Sequence, residues 1–456
     1  MSSDACASQA PKLALIFLGR KRPGFDPEWG AAMEDRVRAG VTGGGFEIVE
    51  PPEKTVDEPS LRQAVAACAQ SGADVLVALQ TTMADARMVP TLAQSWPHPV
   101  VLWATPENPA GDKVSSCSLV GLHAWASVLH QMEHPFEIVC GDPDDADTMK
   151  QLKDAARVAA TVRRLRSARV GIIGGQAPGY FAMSADPSVV YRGLGAQVQT
   201  LSLVQFGDVV DGLAEEDVAA DVAKVKEMGL QHKDTTDDDL PMASRLYLAM
   251  RRVMVDEDID ALAVRCWPEM PNMFGQWPYL GMARLAHEGR AIACEGDADG
   301  AITALVGESL GMGRCYLSDW LEHDDETITF WHGGAAPMSL SPPPGEPGGP
   351  MIARHFNVAK PAVVDATLQH AMPVTICRLW RDQGRYRITA CEGETVLPRR
   401  HLMGTNALVR LIDRNPKTWF VDLCHAGMPH HVAVFRGHHV DLLRRFARAL
   451  DITCMS

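Results

Sequence analysis

The stretch Arg290–Gly311, "RAIACEGDADGAITALVGESLG", reads as a short buried strand, an acidic turn and an apolar helix. Strand-to-helix units of this kind build parallel sheets, because parallel strands need a crossover connection between them. The turn places Glu295, Asp297 and Asp299 within five residues, beside Gly296 and Gly300. Carboxylates this close repel one another, so we expect solvent, a Lys or Arg partner, or a cation to relieve the charge.

The same alternation of strands and helices extends through the first two thirds of the chain. Apolar runs at 12–19, 74–80, 98–107 and 170–175 alternate with helical stretches, which predicts an α/β protein with two Rossmann-like parallel-sheet domains at 1–165 and 166–330. Beyond these, "PVTICRLWRDQGRYRITACEGETV" (373–396) has the pattern of a β-hairpin. Residues 331–456 are therefore predicted to form a C-terminal β-rich, barrel-like domain.

One glycine cluster invites a nucleotide-binding interpretation that its spacing does not support. Gly174, Gly175 and Gly179 depart from G-x-G-x-x-G, and Pro178 stands where the following helix should open. A sugar-contacting loop and a plain tight turn both stay open as alternatives.

Composition limits the partners of the chain. A chain of 456 residues, 46% of them hydrophobic, is typical of a globular protein with a sizeable buried core. Because its net charge is −14, we expect that it does not bind nucleic acid. No apolar run is long enough to cross a bilayer, and no targeting signal is visible, so we expect no membrane partner. The 11 cysteines contain no C-x-x-C pair, which is typical of reduced thiols in the cytoplasm.

Acids and imidazoles are placed at the ends of predicted elements in a way that fits a metal site. The candidates are Glu295, Asp297, Asp319, His332, His430 and His431. Two carboxylates from neighbouring strand ends with one distant imidazole form a mixed oxygen and nitrogen set, which suits Mn²⁺, with Mg²⁺ or Co²⁺ as substitutes. The alternatives are a surface acid at Glu295, a helix N-cap at Asp319 and histidines that only make structural hydrogen bonds.

Several segments resemble the L-fucose isomerase and L-arabinose isomerase superfamily: "RCWPEMP", "ACEGDADGAITALV", "YLSDW", "FWHGG" and "AGMPHHVAVFRGHHVDLLRRFARALDI". The resemblance implies two α/β domains and a C-terminal barrel-like domain, with Mn²⁺ bound by Glu295, Asp319 and His431. It assigns the acids to the central domain and the histidine to the third. It also implies a homo-oligomer, a hexamer or trimer, in which the N-terminal domain makes the oligomer contacts and covers the substrate of a neighbour.

The activity implied by the resemblance is that of an aldose–ketose isomerase, an intramolecular oxidoreductase acting on an open-chain sugar through a cis-enediol(ate). Glu295 and Asp319 would share the proton transfers, with the base and acid roles unassigned. The alternatives are a non-catalytic sugar-binding protein, a metal-dependent epimerase or aldolase, and an isomerase of a phosphorylated or sulfonated sugar. The loops "GRKRPGFD" and "CWPEMPNMFGQWP" match neither branch closely, so the sugar itself is not predicted.

Five side chains are candidate substrate contacts, three of which are also among the candidates for the metal site. Trp267 and Glu269 could offer a stacking wall and a hydroxyl-binding acid, or be a core Trp and a surface Glu. Asp297 could orient a water or cap a helix, and His332 could be a ligand or contact the substrate. His430 should point away from His431 if the segment is extended, which favours a supporting role.

A basic cluster follows the first predicted strand. Arg20, Lys21 and Arg22 in "GRKRPG" could receive an anionic tail on the substrate or belong to a solvated loop. We carry Arg20 forward as a candidate substrate contact.

Overall fold

The computed structural model describes residues 10–20 and 24–456, which divide into two compact units. The smaller unit holds the described residues up to Arg164 together with Arg448–Asp451, and the larger unit holds Leu165–Ala447 and Ile452–Ser456. The finer division into three domains with boundaries at 165 and 330 stays a prediction.

The smaller unit is a five-stranded parallel sheet with helices on both faces. Its strands are β1 (Leu13–Leu18), β2 (Ile48–Val49), β3 (Val75–Gln80), β4 (Val100–Ala104) and β5 (Phe136–Cys140), and its helices are α1 (Pro27–Gly43), α2 (Glu58–Gln70), α3 (Val89–Ser95), α4 (Ser118–Gln131) and α5 (Ala146–Leu165). The strand order is β2-β1-β3-β4-β5. Every residue of β1, β3 and β4 is buried, because helices cover both faces of the sheet.

The larger unit begins with a second parallel sheet. Its strands are β6 (Arg169–Ile173), β7 (Gln197–Leu201), β9 (Ala261–Val264) and β10 (Ala291–Ala293), in the order β10-β9-β6-β7. The helices of the unit are α6 (Pro187–Leu194), α7 (Leu203–Asp211), α8 (Glu215–Glu227), α9 (Leu240–Asp256), α10 (Glu269–Phe274), α11 (Tyr279–His287), α12 (Ala298–Ser309), α13 (Pro416–His425) and α14 (Val440–Ala449), the last of which ends in the smaller unit. Single 3₁₀ turns lie at Ala86–Met88, Phe181–Met183, Asp237–Asp239 and Met338–Leu340.

A closed antiparallel barrel completes the larger unit. Its six strands are β11 (Tyr316–His323), β12 (Thr327–His332), β15 (Pro373–Asp382), β16 (Arg385–Val396), β17 (Thr405–Leu411) and β18 (His431–Arg436). The ladder β16-β15-β18-β11-β12-β17 is closed by pairing of β16 with β17. The strands β8 (Gln231–Lys233), β13 (Met351–Ala353), β14 (Val363–Thr367) and β19 (Thr453–Met455) extend the same sheet. The predicted fold class, two parallel-sheet layers followed by a barrel-like β domain, is confirmed.

Helix α12 joins the parallel sheet to the barrel. It packs against β9 and β10 on one side and against β15 and β18 on the other, and its residues from Ala298 to Gly307 are buried. At Gly307 a Cβ atom would lie 2.2 Å from the ring of Phe435, so only glycine allows β18 to approach this closely. The acidic turn at the start of α12 is thereby held beside the barrel.

Some elements differ from the sequence-based expectation. The run "FEIVE" contributes only the two-residue strand β2, and β5 was not predicted, because its alternating burial is that of an edge strand. Asp319 does not end a strand of the parallel sheet but lies inside β11 of the barrel, so an N-cap role at Asp319 is also wrong. Within the described residues, none of the helices combines the length and the apolar character needed to cross a membrane.

Candidate active site and metal centre

Glu295 lies in a strained turn between β10 and α12. Its φ of 60° is in the left-handed region, and Gly296 follows with a φ of 73°. This conformation costs a residue with a side chain on the order of 1 kcal/mol or more, so neighbouring contacts must hold it. The N–H of Ala177 donates to the Glu295 carbonyl at 2.8 Å, and the N–H of Gly296 donates to the Val264 carbonyl at 3.0 Å. The turn directs the Glu295 side chain toward the barrel histidines.

Asp319 and His431 face each other across the antiparallel pair β11–β18, where their Cα atoms are register partners. Side chains directly opposite in such a pair lie on the same face with Cβ atoms about 4.5–5.5 Å apart. The closeness of Asp319 and His431 is therefore fixed by strand pairing rather than by loop geometry.

The structure brings these three predicted residues together. The Nε2 atom of His431 lies 3.6 Å from Glu295 Oε2 and 3.5 Å from Asp319 Oδ1. His431 is fully buried, and the Glu295 side chain is 11% exposed against 27% for Asp319. The buried Asp319 Oδ1 atom has no hydrogen-bond partner within the described residues. An acceptor left in this state calls for a further positive group.

A buried ion pair sets the protonation of His431. Asp297 Oδ2 lies 2.9 Å from His431 Nδ1, and Arg378 donates two hydrogen bonds of 2.7 Å to the same carboxylate. Burial opposes ionisation of Asp297, but Arg378 and His431 outweigh it and hold the pKa of this carboxyl far below its usual range. An ionised carboxylate can only accept, so Nδ1 carries the proton. Burial lowers the pKa of His431, but Asp297, Asp319 and Glu295 together raise it above its usual value, so Nε2 also holds a proton readily. A cation bound at Nε2 would take the place of that proton.

Asp297 has a third partner, which explains its position. Its Oδ1 atom accepts the N–H of Gly300 at 2.9 Å, so Asp297 is the N-cap of α12. Of the two alternatives for this residue, the cap is present, and the bond to His431 was not foreseen.

His430 also faces the carboxylates. Its Nε2 atom lies 3.3 Å from Glu295 Oε2 and 3.7 Å from Asp319 Oδ1. The expectation that it points away from His431 is wrong, because His430 lies in a bend just before β18 and strand alternation does not apply there. Burial alone would raise the pKa of Glu295, yet the imidazoles of His430 and His431 lower it to about 2. Glu295 is therefore an anion at neutral pH.

An aromatic wall borders the carboxylates. The Trp267 indole N–H donates to Glu295 Oε1 at 3.1 Å. The ring of Tyr180 lies with its centroid 4.9 Å from that of His430 and 5.8 Å from that of Trp267. Tyr180 follows the glycine cluster whose role was left open, and Gly174 and the next residue adopt positive φ values of 81° there. Sequence reasoning missed Tyr180, although the glycine cluster marked its loop.

The remaining predicted residues take other positions. Glu269 forms an ion pair with Arg265 at the start of α10, with Nε to Oε2 at 2.8 Å. His332 ends β12, is 3% exposed, and lies with its Nε2 2.9 Å from Cys294 Sγ. Arg20 is an exposed residue of the smaller unit, with its guanidinium 5.1 Å from the ring of Phe25.

The two other basic residues of that cluster, Lys21 and Arg22, lie outside the described residues. The anion-binding hypothesis for the cluster stays a prediction.

The donor set fits a divalent cation. Two carboxylate oxygens lie 3.5 and 3.6 Å from one imidazole nitrogen, and one of these oxygens is buried and unpartnered within the described residues. Oxygen and imidazole donors of this kind suit such an ion. Glu295, His430 and His431 have ligand atoms within 4.8 Å of one another, as do Cys294, His332 and His431. The residues present can thus hold a metal ion.

Comparisons with known proteins agree with this architecture. Residues 361–456 match the family described as L-fucose isomerase, C-terminal domain. A sulfoquinovose isomerase of Priestia aryabhattai is 25% identical over 449 residues, covering 97% of this chain and 98% of that protein. A sulfoquinovose isomerase of Alkalicoccus urumqiensis is 27% identical over 385 residues, or 83% and 85% of the two chains.

Two further matches are more distant. An L-arabinose isomerase of Acidothermus cellulolyticus is 25% identical over 349 residues, 72% of this chain and 68% of that protein. A periplasmic solute-binding protein from Actinobacillus succinogenes with bound D-allose covers 67% of this chain and 92% of its own, at 10% identity and a TM-score of 0.19, and this likeness supports no conclusion. The sequence relatives confirm the resemblance that the motifs indicated. The chain is thus similar over most of its length to sugar isomerases, and over residues 361–456 to the C-terminal domain of L-fucose isomerase.

Proposed function

We propose that this protein is a metal-dependent aldose–ketose isomerase that acts on an open-chain sugar bearing an anionic group. The observation that supports it most is the convergence of Glu295, Asp319 and His431, with His431 Nε2 3.6 and 3.5 Å from the two carboxylates. Relatives over most of the chain carry the names of aldose–ketose isomerases, which supports this enzyme class.

The residues proposed to hold the ion are Glu295, Asp319 and His431, and the proposed ion is Mn²⁺, with Mg²⁺ or Co²⁺ as substitutes. When bound, such an ion supplies Lewis-acid polarisation of the carbonyl and stabilises the negative charge of the enediolate. Asp297 accepts a hydrogen bond from His431 Nδ1, which fixes the orientation of the ring and leaves Nε2 to face the proposed ion.

Proton transfer is assigned to the two carboxylates. One of them takes the proton from C2 of the aldose, which gives the cis-enediol(ate), and returns a proton to C1, while the other serves the proton exchange between the two oxygens. Glu295 can do so as an anion at neutral pH, because the nearby imidazoles keep its pKa at about 2 although burial opposes ionisation. Trp267 orients Glu295 through its indole N–H, and with Tyr180 it offers flat surfaces against which the apolar side of a sugar can stack.

The anionic substrate is proposed from the relatives, two of which are named sulfoquinovose isomerase. The substrate class is therefore a sulfonated or phosphorylated hexose. We further propose that the protein works in the cytoplasm as a homo-oligomer, a hexamer or trimer, in which the smaller unit of one subunit covers the substrate of another and Arg20 approaches the anionic group.

The test is isomerisation in D₂O with Mn²⁺ and a matched panel: sulfoquinovose, glucose 6-phosphate, glucuronate, L-fucose and L-arabinose. An isomerase yields the ketose with deuterium at C1, and the anionic members should react fastest. An epimerase would return an aldose labelled at C2, and a binding protein would show no exchange. Either result would contradict the proposal.

Variants assign the roles. Glu295→Gln and Asp319→Asn should each lower turnover by at least about 10³-fold with unchanged circular dichroism, because each removes a proton-transfer group and a cation ligand. Glu326→Gln is the matched control: it makes the same change at an acid whose side chain is 76% exposed, between β11 and β12. Full activity of Glu295→Gln would refute the site assignment.

A further inference from the structure

A second set of metal-ligand side chains lies behind the carboxylates. Cys294 directly precedes Glu295 and is 2% exposed. Its Sγ atom lies 2.9 Å from His332 Nε2 and 3.8 Å from His431 Nε2. The three atoms are mutually within 4.8 Å, and all three residues are buried. This arrangement brings one sulfur and two nitrogen donors to a single enclosed point.

The chemistry of these donors differs from that of the carboxylate set. Thiolate with two imidazoles suits d¹⁰ thiophilic ions such as Zn²⁺ and Cd²⁺, whereas carboxylates suit Mn²⁺ and Mg²⁺. The Nδ1 atom of His332 is buried and has no hydrogen-bond partner within the described residues. Among the described residues, the hydrogen bond of the His332 ring is thus the one to Cys294, so both atoms of that bond can be offered to an ion.

One atom belongs to both sets. His431 Nε2 lies 3.5 Å from Asp319 Oδ1 and 3.6 Å from Glu295 Oε2, and it lies 3.8 Å from Cys294 Sγ. Its other nitrogen is committed to Asp297. A neutral imidazole nitrogen has one lone pair and binds one cation at a time. Occupation of the sulfur-containing set must therefore weaken the carboxylate set.

We propose that Cys294, His332 and His431 form a binding site for thiophilic d¹⁰ cations, and that an ion bound there displaces the one held by Glu295, Asp319 and His431. The displacement rests on the proposed function, whereas the Cys294 site does not. Binding involves no change of oxidation state: the Cys294 thiol gives its proton to the buffer, and Sγ forms a bond to the cation.

Cadmium is the probe. Metal-free protein titrated with Cd²⁺ should develop an ultraviolet thiolate-to-cadmium charge-transfer band, and cadmium NMR should report one sulfur ligand. Cys294→Ser and Cys294→Ala should lose this signal and about 100-fold in Cd²⁺ affinity, while their Mn²⁺ affinity by calorimetry stays within about threefold of the parent. Cys68→Ser is the matched control, because Cys68 is a buried thiol of the smaller unit and should leave the signal unchanged.

Competition is measured on the same samples. Rising Cd²⁺ should raise the apparent Kd of Mn²⁺ in the parent protein, and the effect should vanish in Cys294→Ala. The inference is overturned if the charge-transfer band survives both Cys294 substitutions, if cadmium NMR of the parent shows no sulfur ligand, or if Cd²⁺ and Mn²⁺ bind together. Because the NMR signal needs no variant, misfolding of a variant cannot hide the answer. The protein could bind Cd²⁺ through Cys294 and yet neither bind Mn²⁺ nor isomerise sugars. That result would support the thiophilic site and refute only the proposed function.

Discussion

Replacing Arg378 by Met tests how the metal centre is positioned. Arg378 is fully buried and donates two hydrogen bonds of 2.7 Å to Asp297, which is also fully buried. The substitution leaves a buried carboxylate whose remaining partners are His431 and the N–H of Gly300. Removing one partner of a buried ion pair typically costs about 3–5 kcal/mol. We expect the free energy of unfolding of the larger unit to fall by about that amount.

The same substitution should weaken cation binding. An unpaired Asp297 takes up a proton or shifts, and either change loosens the hold on His431 Nδ1. Loss of such an outer partner typically costs about 10–100-fold in metal affinity. Urea unfolding followed by tryptophan fluorescence and Mn²⁺ calorimetry measure the two effects.

Two further variants separate stability from positioning. In Asp297→Asn combined with Arg378→Met no charge stays unpaired, so stability should largely recover while Mn²⁺ affinity stays low. Arg381→Met is the matched control, because Arg381 pairs with Asp299 at 2.8 Å and does not contact His431, so it should lose stability but not affinity. The reasoning is refuted if Arg378→Met loses less than about 1 kcal/mol, or if its Mn²⁺ affinity equals that of Arg381→Met.

Three other predictions follow from the described contacts. Gly296→Ala should abolish isomerase activity, because the new Cβ would lie 2.1 Å from the Gly175 carbonyl oxygen at a φ of 73°. Gly313→Ala, with a φ of 92° and open space around it, should cost only about 1–2 kcal/mol of stability. Equal effects of the two variants in thermal unfolding and in activity would contradict the clash. Mn²⁺ at 100 times its Kd should stabilise the metal-free protein by about 2.7 kcal/mol in urea unfolding, and Glu295→Gln should remove most of this gain; a similar gain in both would place the ion elsewhere. Burial opposes ionisation of Glu107, but hydrogen bonds from Ser115 and neighbouring groups lower its pKa to about 2. Glu107→Gln should therefore destabilise the smaller unit at pH 7, and the difference in free energy of unfolding between parent and variant should shrink as the pH falls from about 4.5 to about 2. A difference that persists in acid would contradict this origin.

The parallel sheets and the acidic turn could be predicted from sequence because their signals are local. A short apolar strand, a carboxylate turn beside Gly296 and an apolar helix are contiguous in the chain. Burial on both faces makes β4 apolar throughout and β3 apolar up to Gln80. Asp319 was misplaced because a short apolar run does not reveal which sheet it joins. Its strand lies wholly in the barrel, where the residues from Tyr316 to Asp319 pair with β18, a segment far along the chain.

Residues that depend on register could not be predicted. Arg378 lies in an alternating run, and only the pairing of β15 with its neighbours shows that its side chain faces the buried Asp297. Cys294 reads as a small core residue until β12 brings His332 beside it. The functional roles of the candidate site residues themselves stay predictions until the variants are measured.

The backbones of the three proposed ligands are fixed in different ways, so we expect these residues to differ in mobility. Asp319 and His431 are opposite each other in a strand pair of a closed barrel, so the ladder fixes the separation of their Cα atoms. Glu295 instead lies in a left-handed turn that depends on the Ala177 and Val264 backbone contacts. Of the three proposed ligands, Glu295 is therefore the one whose backbone position strand pairing does not fix. Because strained backbone persists only where its surroundings over-determine it, the loop carrying Ala177 and Tyr180 is the part of the structure that decides where this carboxylate meets the sugar.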